Sequence, residues 1–253
     1  MGGAVPALQA AGCETPGLDA ELLVAEAVGV DRAALVADPG RDLPPGAARL
    51  IGEWVRRRRE REPVAYILGR KGFRRIDLAV DNRVLIPRPE TELLVELALE
   101  LPAGARVHDV GTGSGAIALA LRDERPDLAV TASDTSAPAA EVARLNGLEA
   151  AVAEGLPPGE YDLVVANLPY VREDEWPGLE PDIRLYEPRS ALVAGEDGLD
   201  AITALAAQAP AGTCLALEHA PEQAAAVSGL LAGSETHRDL TGRERVTIGR
   251  AWG

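Results

Sequence analysis

Hydrophobic residues follow two different periods along this chain, and the change between them falls near residue 63. Between residues 17 and 62 the apolar positions recur at helical spacing and form two stripes, Leu18, Leu22, Ala25 and Val28 followed by Leu50, Ile51, Trp54 and Val55. Residues 1–62 therefore predict a small N-terminal helical domain. Short apolar runs punctuated by Gly69 and Gly72 then predict a β-hairpin within a linker at 63–82.

From residue 83 to residue 253, short apolar runs alternate with helical patterns. The predicted strands are ARVHDV, LAVTASD, AAVAEG, YDLVVAN and TCLALEH, with two further strand-like runs near 235–250. Near-continuous apolar strands separated by helices are typical of a parallel sheet that helices cover. The sequence thus predicts an α/β domain over 83–253. The segment 172–197 is rich in proline, glycine and acidic residues, and it predicts a long loop at the carboxyl edge of the sheet.

Composition excludes several classes of protein. The 253 residues contain no apolar run near the roughly 20 residues of a membrane span, and the N-terminal stretch lacks the pattern of a signal peptide, so we expect a cytoplasmic protein. Cys13 and Cys214 have no metal-ligand spacing, and we predict no metal site. The net charge of −15 gives no general attraction to nucleic acid. The basic run Arg56–Arg59 is either a solvated helix end or a partner-binding face.

The stretch HDVGTGSGAIALAL at 108–121 has the order strand, glycine turn, helix. Its glycines leave backbone amides bare at a helix N-terminus, where a ligand can approach. Asp134 ends the next predicted strand, in the position from which an acid accepts hydrogen bonds from ribose hydroxyls. The pattern predicts a nucleoside-containing cofactor, and it also fits the fingerprint of dinucleotide-binding enzymes. The predicted cofactor contacts are Gly111, Thr112, Gly113, Ser114, Gly115, Asp134 and Asn167.

The stretch VVANLPYV at 164–171 ends a buried strand that should lie beside the glycine-loop strand, so Asn167 is expected to face the cofactor. An amide nitrogen is a weak nucleophile because its lone pair is spread into the carbonyl group. The Asn167 side-chain oxygen and the Leu168 carbonyl are two acceptors able to hold its N–H groups. Pro169 favours an extended Leu168, and the Tyr170 ring can pack on a planar amide. We predict catalytic roles for Asn167, Pro169 and Tyr170, and substrate binding by these three residues and Leu168.

Asn-Leu-Pro-Tyr resembles the Asn-Pro-Pro-Tyr motif of methyltransferases that use S-adenosylmethionine to methylate amide or exocyclic amino nitrogens. With PVAYILGRKGF, VLIPRPETELLVE, DVGTGSGAIAL, EPRSALVAGEDGLD and GRERVTIGR, it makes the chain similar to the peptide chain release factor glutamine N5-methyltransferase family, from about residue 20 to the end. The resemblance implies a Rossmann-like class I methyltransferase domain that converts S-adenosylmethionine to S-adenosylhomocysteine. It also implies that the substrate is the glutamine of the Gly-Gly-Gln loop of class I release factors, and that the N-terminal helical domain recognises these factors.

The chain departs from the family pattern in three places. Leu168 replaces the first proline of the motif. The segment 146–161 is short and lacks the aspartate-plus-aromatic pair expected to contact adenine, and Glu154 is the candidate replacement for the acid. The family's Glu-Ile-Gly-x-x-Gln appears here as EHAPEQ, which retains Glu218 and Gln223.

Other activities stay open on the sequence alone. Within the methyltransferases they are glutamine methylation of a ribosomal protein and N6 methylation of adenine. Outside that class they are a nicotinamide-dependent oxidoreductase and a non-catalytic release-factor-binding protein. The oxidoreductase is disfavoured because it has no use for Asn-x-Pro-Tyr and because Lys71 is the only lysine available for a Tyr-Lys pair. We expect a monomer that binds neither nucleic acid directly nor a membrane.

Overall fold

The computed structural model describes residues 3–38 and 40–252, and the chain separates into two compact units. The helical unit comprises the chain up to Gly69 together with Glu180–Tyr186. The α/β unit comprises Arg70–Leu179 and the chain from Glu187 onward. The predicted domain boundaries, at 62 and 82, differ from the observed boundary after Gly69. The reason is that the short helix Val64–Leu68 packs on the helices Pro16–Val28 and Ala47–Arg59 of the helical unit. A role of the helical unit in substrate recognition stays a prediction.

Helices and strands are bounded as follows in the described residues. The helices are α1 (Ala4–Ala10), α2 (Pro16–Val28), α3 (Arg32–Ala37), α4 (Ala47–Arg59), α5 (Val64–Leu68), α6 (Glu92–Leu99), α7 (Ala116–Glu124), α8 (Ala137–Leu145), α9 (Pro181–Tyr186), α10 (Asp200–Gln208) and α11 (Ala224–Gly229). The strands are β1 (Arg70–Phe73), β2 (Ile76–Ala79), β3 (Arg106–Val110), β4 (Ala129–Asp134), β5 (Ala151–Val152), β6 (Leu163–Ala166), β7 (Cys214–Glu218), β8 (Leu231–Arg238) and β9 (Glu244–Ala251). Short 3-10 helices are Pro89–Thr91, Trp176–Gly178, Arg189–Ala191 and Pro221–Gln223.

The α/β unit is built on a seven-stranded sheet with the strand order β5-β4-β3-β6-β7-β9-β8. The first five strands of this order are parallel, and β9 runs antiparallel to both β7 and β8. The predicted α/β architecture with a mostly parallel sheet is therefore confirmed, including the two late strands. The hairpin of β1 and β2 lies within the segment 63–82. None of the helices in 3–38 and 40–252 is both long and apolar enough to cross a membrane.

The prediction of a long loop at 172–197 was partly wrong. This segment contains the helix α9 and the 3-10 helices Trp176–Gly178 and Arg189–Ala191. The 3-10 helix Trp176–Gly178 and the helix α9 each have a proline in their first turn, where the fixed φ of proline suits the start of a helix. The elements are too short to show an apolar period, which is why the sequence pattern did not reveal them.

Arg58, near the end of α4, is the buried cation of the helical unit. Its side chain is 5% exposed, its Nε donates to Asp19 Oδ2 at 2.7 Å, and its Nη1 lies 2.5 Å from Asp182 Oδ2. The interpretation of Arg56–Arg59 as a solvated helix end is therefore wrong for Arg58. Two of the other arginines also pair within the unit, as Arg56–Glu60 and Arg57–Glu62.

Replacing Arg58 by methionine removes the cation that pairs with Asp19, whereas Asp182 retains its ion pair with Arg61. Removing one partner of a buried ion pair costs about 3–5 kcal/mol, and the partial exposure of Asp182 points to the lower end of that range. We expect Arg58→Met to lower the free energy of unfolding by about 3 kcal/mol in urea denaturation followed by circular dichroism. Arg59→Met, at the exposed neighbouring position, is the control and should change it by less than about 0.5 kcal/mol. Equal effects of the two variants would contradict this assignment.

Candidate active site

Four neighbouring strands of the sheet end at the same level. Val110 pairs with Ser133 on one side and with Ala166 on the other, and Ala166 pairs with Leu217. The residues that follow these positions form one row at the carboxyl edge of the sheet, and they are Gly111, Asp134, Asn167 and Glu218. Three members of this row were predicted as site residues from the sequence.

The glycine loop after β3 is held by hydrogen bonds to the neighbouring strand. The amides of Gly111 and Thr112 both donate to the Ser133 carbonyl, at 2.9 and 3.0 Å. Gly111 has a φ of 73°, and a Cβ at this position would lie 2.9 Å from Leu168 Cδ2. Glycine suits this position because a side chain would be strained at this φ and would require the Leu168 side chain to move aside.

Asp109, at the end of β3, fastens the loop to α7. Its Oδ2 accepts from the Thr112 hydroxyl at 2.6 Å and from the Ala118 amide at 3.3 Å. Its Oδ1 is buried and has no hydrogen-bond partner among residues 3–38 and 40–252. Burial raises the pKa of Asp109 to about 7; Asp134 acts in the same direction, and the two hydrogen bonds act in the opposite one.

The raised pKa of Asp109 gives a testable pH dependence. Between the unfolded value of 3.8 and about 7, the folded protein binds more protons at this group than the unfolded chain does. Its contribution to stability is thus fully present below pH 3.8 and is lost as pH rises through about 7. Relative to Asp109→Asn, the free energy of unfolding of the wild type should fall by an amount on the order of a few kcal/mol between pH 5 and pH 8. A constant difference, measured by denaturation at each pH, would contradict the shift.

Asp134 shares its carboxyl group between two backbone amides. Oδ2 accepts from Gly113 N and Oδ1 accepts from Ser136 N, both at 2.8 Å. Burial raises the pKa of Asp134, while both hydrogen bonds act to lower it. An ionised carboxyl group has about four lone-pair sites, so about two are left for a ligand. Asp134 therefore orders the loop and still has acceptor capacity toward the cleft.

A cleft at this edge of the sheet brings most of the predicted site residues together. The predicted residues in its lining are Gly111, Thr112, Gly113, Ser114, Asp134, Asn167, Leu168 and Pro169. Gly115 and Tyr170 do not line it. Gly115 has a φ of 88° and caps α7, where a Cβ would lie 3.0 Å from Leu148 Cδ2, so its surroundings indicate a packing role. Glu154, the candidate adenine contact, is exposed and lies outside the lining.

Asn167 is oriented by a residue that the sequence reasoning did not assign to the site. Its Nδ2 donates to the hydroxyl of Thr91 at 2.9 Å, and Thr91 is buried at the start of α6. Among the residues the structure describes, no hydrogen bond to Asn167 Oδ1 is found. The carboxamide thus points its nitrogen at Thr91 and keeps its oxygen as an unused acceptor.

Tyr170 is held at both ends. Its hydroxyl donates to Glu218 Oε1 at 3.3 Å, and its carbonyl oxygen accepts from Gln223 Nε2 at 2.9 Å. Burial, with the nearby Glu218 charge, raises the pKa of Tyr170 well above its ordinary value, so the phenol stays protonated. Tyr170 lines a second, smaller cavity next to the cleft, together with Asn167, Leu168 and Arg88.

Arg88 and Glu187 join two further segments of this wall. Arg88 Nη2 donates to Glu187 Oε1 at 2.5 Å, and Glu187 Oε2 accepts from the Ile86 amide at 3.1 Å. Residues on both sides of this pair, including Pro87 and Pro188, line the cleft. These segments carry the family motifs VLIPRPETELLVE and EPRSALVAGEDGLD, and Arg88 and Glu187 were not among the predicted site residues.

Comparison with known proteins supplies the family. Residues 3–69 match the family model of the PrmC N-terminal domain, and residues 89–177 match that of the methyltransferase small domain. A release factor glutamine methyltransferase of Xylella fastidiosa (strain Temecula1) is 43% identical over 258 residues, which cover 93% of this chain and 94% of that protein. The chain belongs to the release factor glutamine methyltransferase family.

Two further members of the release factor glutamine methyltransferase family show similar likeness. The protein of Pseudomonas aeruginosa is 45% identical over 254 residues, covering 92% of each chain. The protein of Caulobacter vibrioides is 38% identical over 265 residues, covering 96% of this chain and 92% of that one. The family predicted from the sequence motifs is confirmed, and so is the class I methyltransferase fold of the α/β unit.

The cleft has acceptors and apolar surface that suit S-adenosylmethionine. The amides of the three loop glycines donate to Ser133, Asp134 and Thr112, so they are not bare as the sequence predicted. A Cβ built at Gly113 meets nothing within 4 Å, which leaves space for a ligand beside the loop. Asp134 retains acceptor capacity for ribose hydroxyls. Apolar residues of the lining, including Ile117 and Ala139, supply surface for the uncharged parts of the cofactor. These residues therefore fit S-adenosylmethionine, the cofactor expected for a member of the release factor glutamine methyltransferase family.

Replacing Asp134 by alanine tests this assignment. We expect it to weaken the binding of S-adenosylhomocysteine by roughly 1.5–3 kcal/mol, because charge-assisted hydrogen bonds are lost and the Gly113 amide loses its partner. Isothermal calorimetry measures the change, with NADH as a ligand that should not bind. Glu154→Ala is the control and should bind with unchanged affinity. Full affinity in Asp134→Ala would remove Asp134 from the cofactor site.

Proposed function

We propose that this protein transfers a methyl group from S-adenosylmethionine to the side-chain nitrogen N5 of the glutamine in the Gly-Gly-Gln loop of class I peptide chain release factors. The observation that carries the proposal is the orientation of Asn167, which follows β6 beside the glycine loop and whose Oδ1 accepts no hydrogen bond from the residues that the structure describes. Family membership supports the choice of a release factor as the substrate.

The two acceptors of the Asn-Leu-Pro-Tyr loop prepare the substrate nitrogen. A primary amide has two N–H groups, and Asn167 Oδ1 and the Leu168 carbonyl oxygen each accept from one of them. Holding both groups fixes the plane of the amide and aims its nitrogen, which supplies the orientation that a weak nucleophile requires. Leu168 retains the backbone carbonyl that the family's proline would present, so this departure preserves the acceptor.

The cofactor supplies a methyl group bound to a positively charged sulfur, which makes that carbon an electrophile. Among the described residues, the cleft lining contains only two ionisable side chains, those of Arg83 and Asp134. Asp134 already accepts hydrogen bonds from two backbone amides. The proton that the substrate nitrogen loses therefore passes to solvent or to a carbonyl oxygen after the methyl group has moved. The protein therefore contributes to the reaction by positioning the substrate nitrogen and excluding other orientations of the amide, and not by general base catalysis.

The small cavity beside the cleft is the proposed site of the glutamine side chain. Leu85, Leu168 and Leu192 give it apolar walls, and Tyr170 and Asn167 provide its polar groups. An extended side chain with two apolar methylene groups and a terminal amide matches this division. The Tyr170 ring then packs against the amide that Asn167 holds.

The remaining partners follow from the same proposal. We assign recognition of the release factor to the helical unit, because a family-specific model matches residues 3–69. A protein that modifies translation factors acts in the cytoplasm, and the net charge of −15 argues against direct binding of nucleic acid. We further propose that it acts as a monomer.

Methyl transfer to a purified release factor, resolved by mass spectrometry, tests the proposed function. We expect the wild type to add one methyl group to the factor and none to a factor whose Gly-Gly-Gln glutamine is replaced by alanine. Asn167→Ala should lower kcat by roughly 10²-fold because the nitrogen is no longer aimed, while cofactor affinity changes little. Asn82→Ala, which removes an exposed carboxamide outside the cleft lining, is the comparison variant.

Two outcomes would overturn the proposal. Methylation of neither factor would favour a non-catalytic binding protein, and equal methylation of both would favour another substrate. Transfer to a ribosomal protein or to adenine in DNA, measured in the same assay, distinguishes the rival substrates.

A further inference from the structure

Gln223 is a buried carboxamide that lines neither the cleft nor the small cavity beside it. It ends the 3-10 helix Pro221–Gln223, which follows β7, and it is 6% exposed. Its Oε1 accepts from the Ala220 amide at 3.0 Å, and its Nε2 donates to the carbonyl oxygens of Tyr170 and Asp197 at 2.9 and 3.0 Å. Both N–H groups and the oxygen of this side chain are therefore bonded to backbone groups of three different segments.

The surroundings of Gln223 permit one orientation of its carboxamide. Turning the group by half a turn would place Oε1 against two carbonyl oxygens and Nε2 against the N–H group of Ala220. Three hydrogen bonds would then be replaced by three contacts between like groups. Gln223 is thus a fixed double donor between Tyr170 and Asp197.

Gly198 lets these groups approach one another closely. It has a φ of 75°, and a Cβ at this position would lie 2.2 Å from the Tyr170 carbonyl oxygen and 2.5 Å from Gln223 Nε2. The carbonyl oxygen belongs to the backbone, so it cannot turn aside as the end of a side chain can. Glycine is therefore required at the point where the contacts of Gln223 converge.

The segments joined by this carboxamide form two walls of the small cavity beside the cleft. Residues from 167–171 line one wall, and residues 191–192 line the other. The backbones of the two segments are paired, because Val171 N donates to the Leu192 carbonyl oxygen at 2.8 Å and the Val171 carbonyl oxygen accepts from Ala194 N at 3.0 Å. The carboxamide holds this pair of segments together from outside the cavity.

Pro169 transmits the position of Tyr170 to the acceptor at Leu168. Its ring fixes φ at about −65°, which removes one of the rotations that separate the two residues. The Tyr170 hydroxyl is bonded to Glu218, and the Tyr170 carbonyl oxygen is bonded to Gln223. With both ends of Tyr170 held, the Leu168 carbonyl oxygen has little freedom to move away from the substrate nitrogen.

We propose that Gln223 is a positioning residue that fixes the walls of the small cavity by binding the carbonyl oxygens of Tyr170 and Asp197. The inference rests on the proposed function, because it assigns this cavity to the substrate glutamine. Gln223 acts on the orientation of the bound glutamine and not on the cofactor, which binds in the larger cleft. Its loss should therefore lower the rate of methyl transfer and leave the affinity for S-adenosylhomocysteine unchanged.

Gln223→Met tests this role, because methionine has a similar length and has no N–H group. We expect it to lower kcat by roughly 10- to 100-fold, since the acceptors are no longer held in place. KM for the release factor should stay within about threefold, because its recognition is assigned to the helical unit, and the affinity for S-adenosylhomocysteine should stay within about twofold. Gln208→Met, which removes an exposed carboxamide outside both linings, is the control.

Gly198→Ala tests the same contact without altering Gln223. Its Cβ would push against the Tyr170 carbonyl oxygen and Gln223 Nε2, so kcat should fall by roughly tenfold or more. Gly242→Ala is the matched control, because Gly242 has a φ of 82° and a Cβ there would meet nothing within 4 Å. Both substitutions carry the cost of a left-handed backbone. Equal kcat values in the two alanine variants would contradict the proposal.

The ring signals of Tyr170 provide a readout that needs no catalysis. In protein with ¹³C-labelled tyrosine rings, NMR spectra should show signals from the four tyrosines, Tyr66, Tyr161, Tyr170 and Tyr186, and Tyr170→Phe identifies those of interest. We expect Gln223→Met and Gly198→Ala to shift or broaden the Tyr170 signals. Gln208→Met and Gly242→Ala should leave them unchanged.

The combined outcomes keep the two proposals apart. If the wild type fails to methylate the release factor, the proposed function fails, and the Tyr170 signals still decide whether Gln223 holds this residue. If the wild type is active and Gln223→Met matches it in kcat, the positioning role is excluded while the proposed function stands. A loss of folded protein or of cofactor affinity at unchanged kcat per folded molecule would assign Gln223 to stability alone, and would likewise exclude the proposal.

Discussion

The common level at which four parallel strands end determines where the chemistry of this protein lies. Strands β6 and β7 are apolar and buried along almost their whole length, so polar side chains can enter the site only where the strands stop. The register places Gly111, Asp134, Asn167 and Glu218 in one row across β3, β4, β6 and β7. Cofactor-facing and substrate-facing groups are neighbours because of this row, although they are far apart in the sequence.

The part of the site that the sequence predicts is the part that local motifs encode. A glycine turn after a strand, an acid at the end of the next strand, and Asn-x-Pro-Tyr at the end of another each carry their meaning within a few residues. Thr91 and Glu218 are different, because they act on residues 76 and 48 positions away. No local pattern states that a threonine in a helix start accepts from Asn167, so only the assembled sheet reveals the contact.

The burial of charged side chains in the two units could not be predicted from local sequence patterns either. A run of arginines looks like a solvated surface, yet Arg58 is buried between Asp19 and Asp182, which lies in a helix that no apolar period indicates. Within the α/β unit, Asp109 and Glu218 are carboxyl groups whose burial raises the pKa to about 7. Both brace neighbouring groups, Asp109 the glycine loop and Glu218 the Tyr170 hydroxyl, and this use explains why polar groups are retained at these depths.

The central claim is that two oxygen atoms, Asn167 Oδ1 and the Leu168 carbonyl, hold the substrate nitrogen for methylation. A crystal structure of the protein with S-adenosylhomocysteine and a release factor bearing its Gly-Gly-Gln loop tests this most directly. We predict that the glutamine side-chain nitrogen lies within hydrogen-bond distance, about 2.7–3.2 Å, of both oxygens. A glutamine amide bound elsewhere, or one that turns its own oxygen toward Asn167, would contradict it.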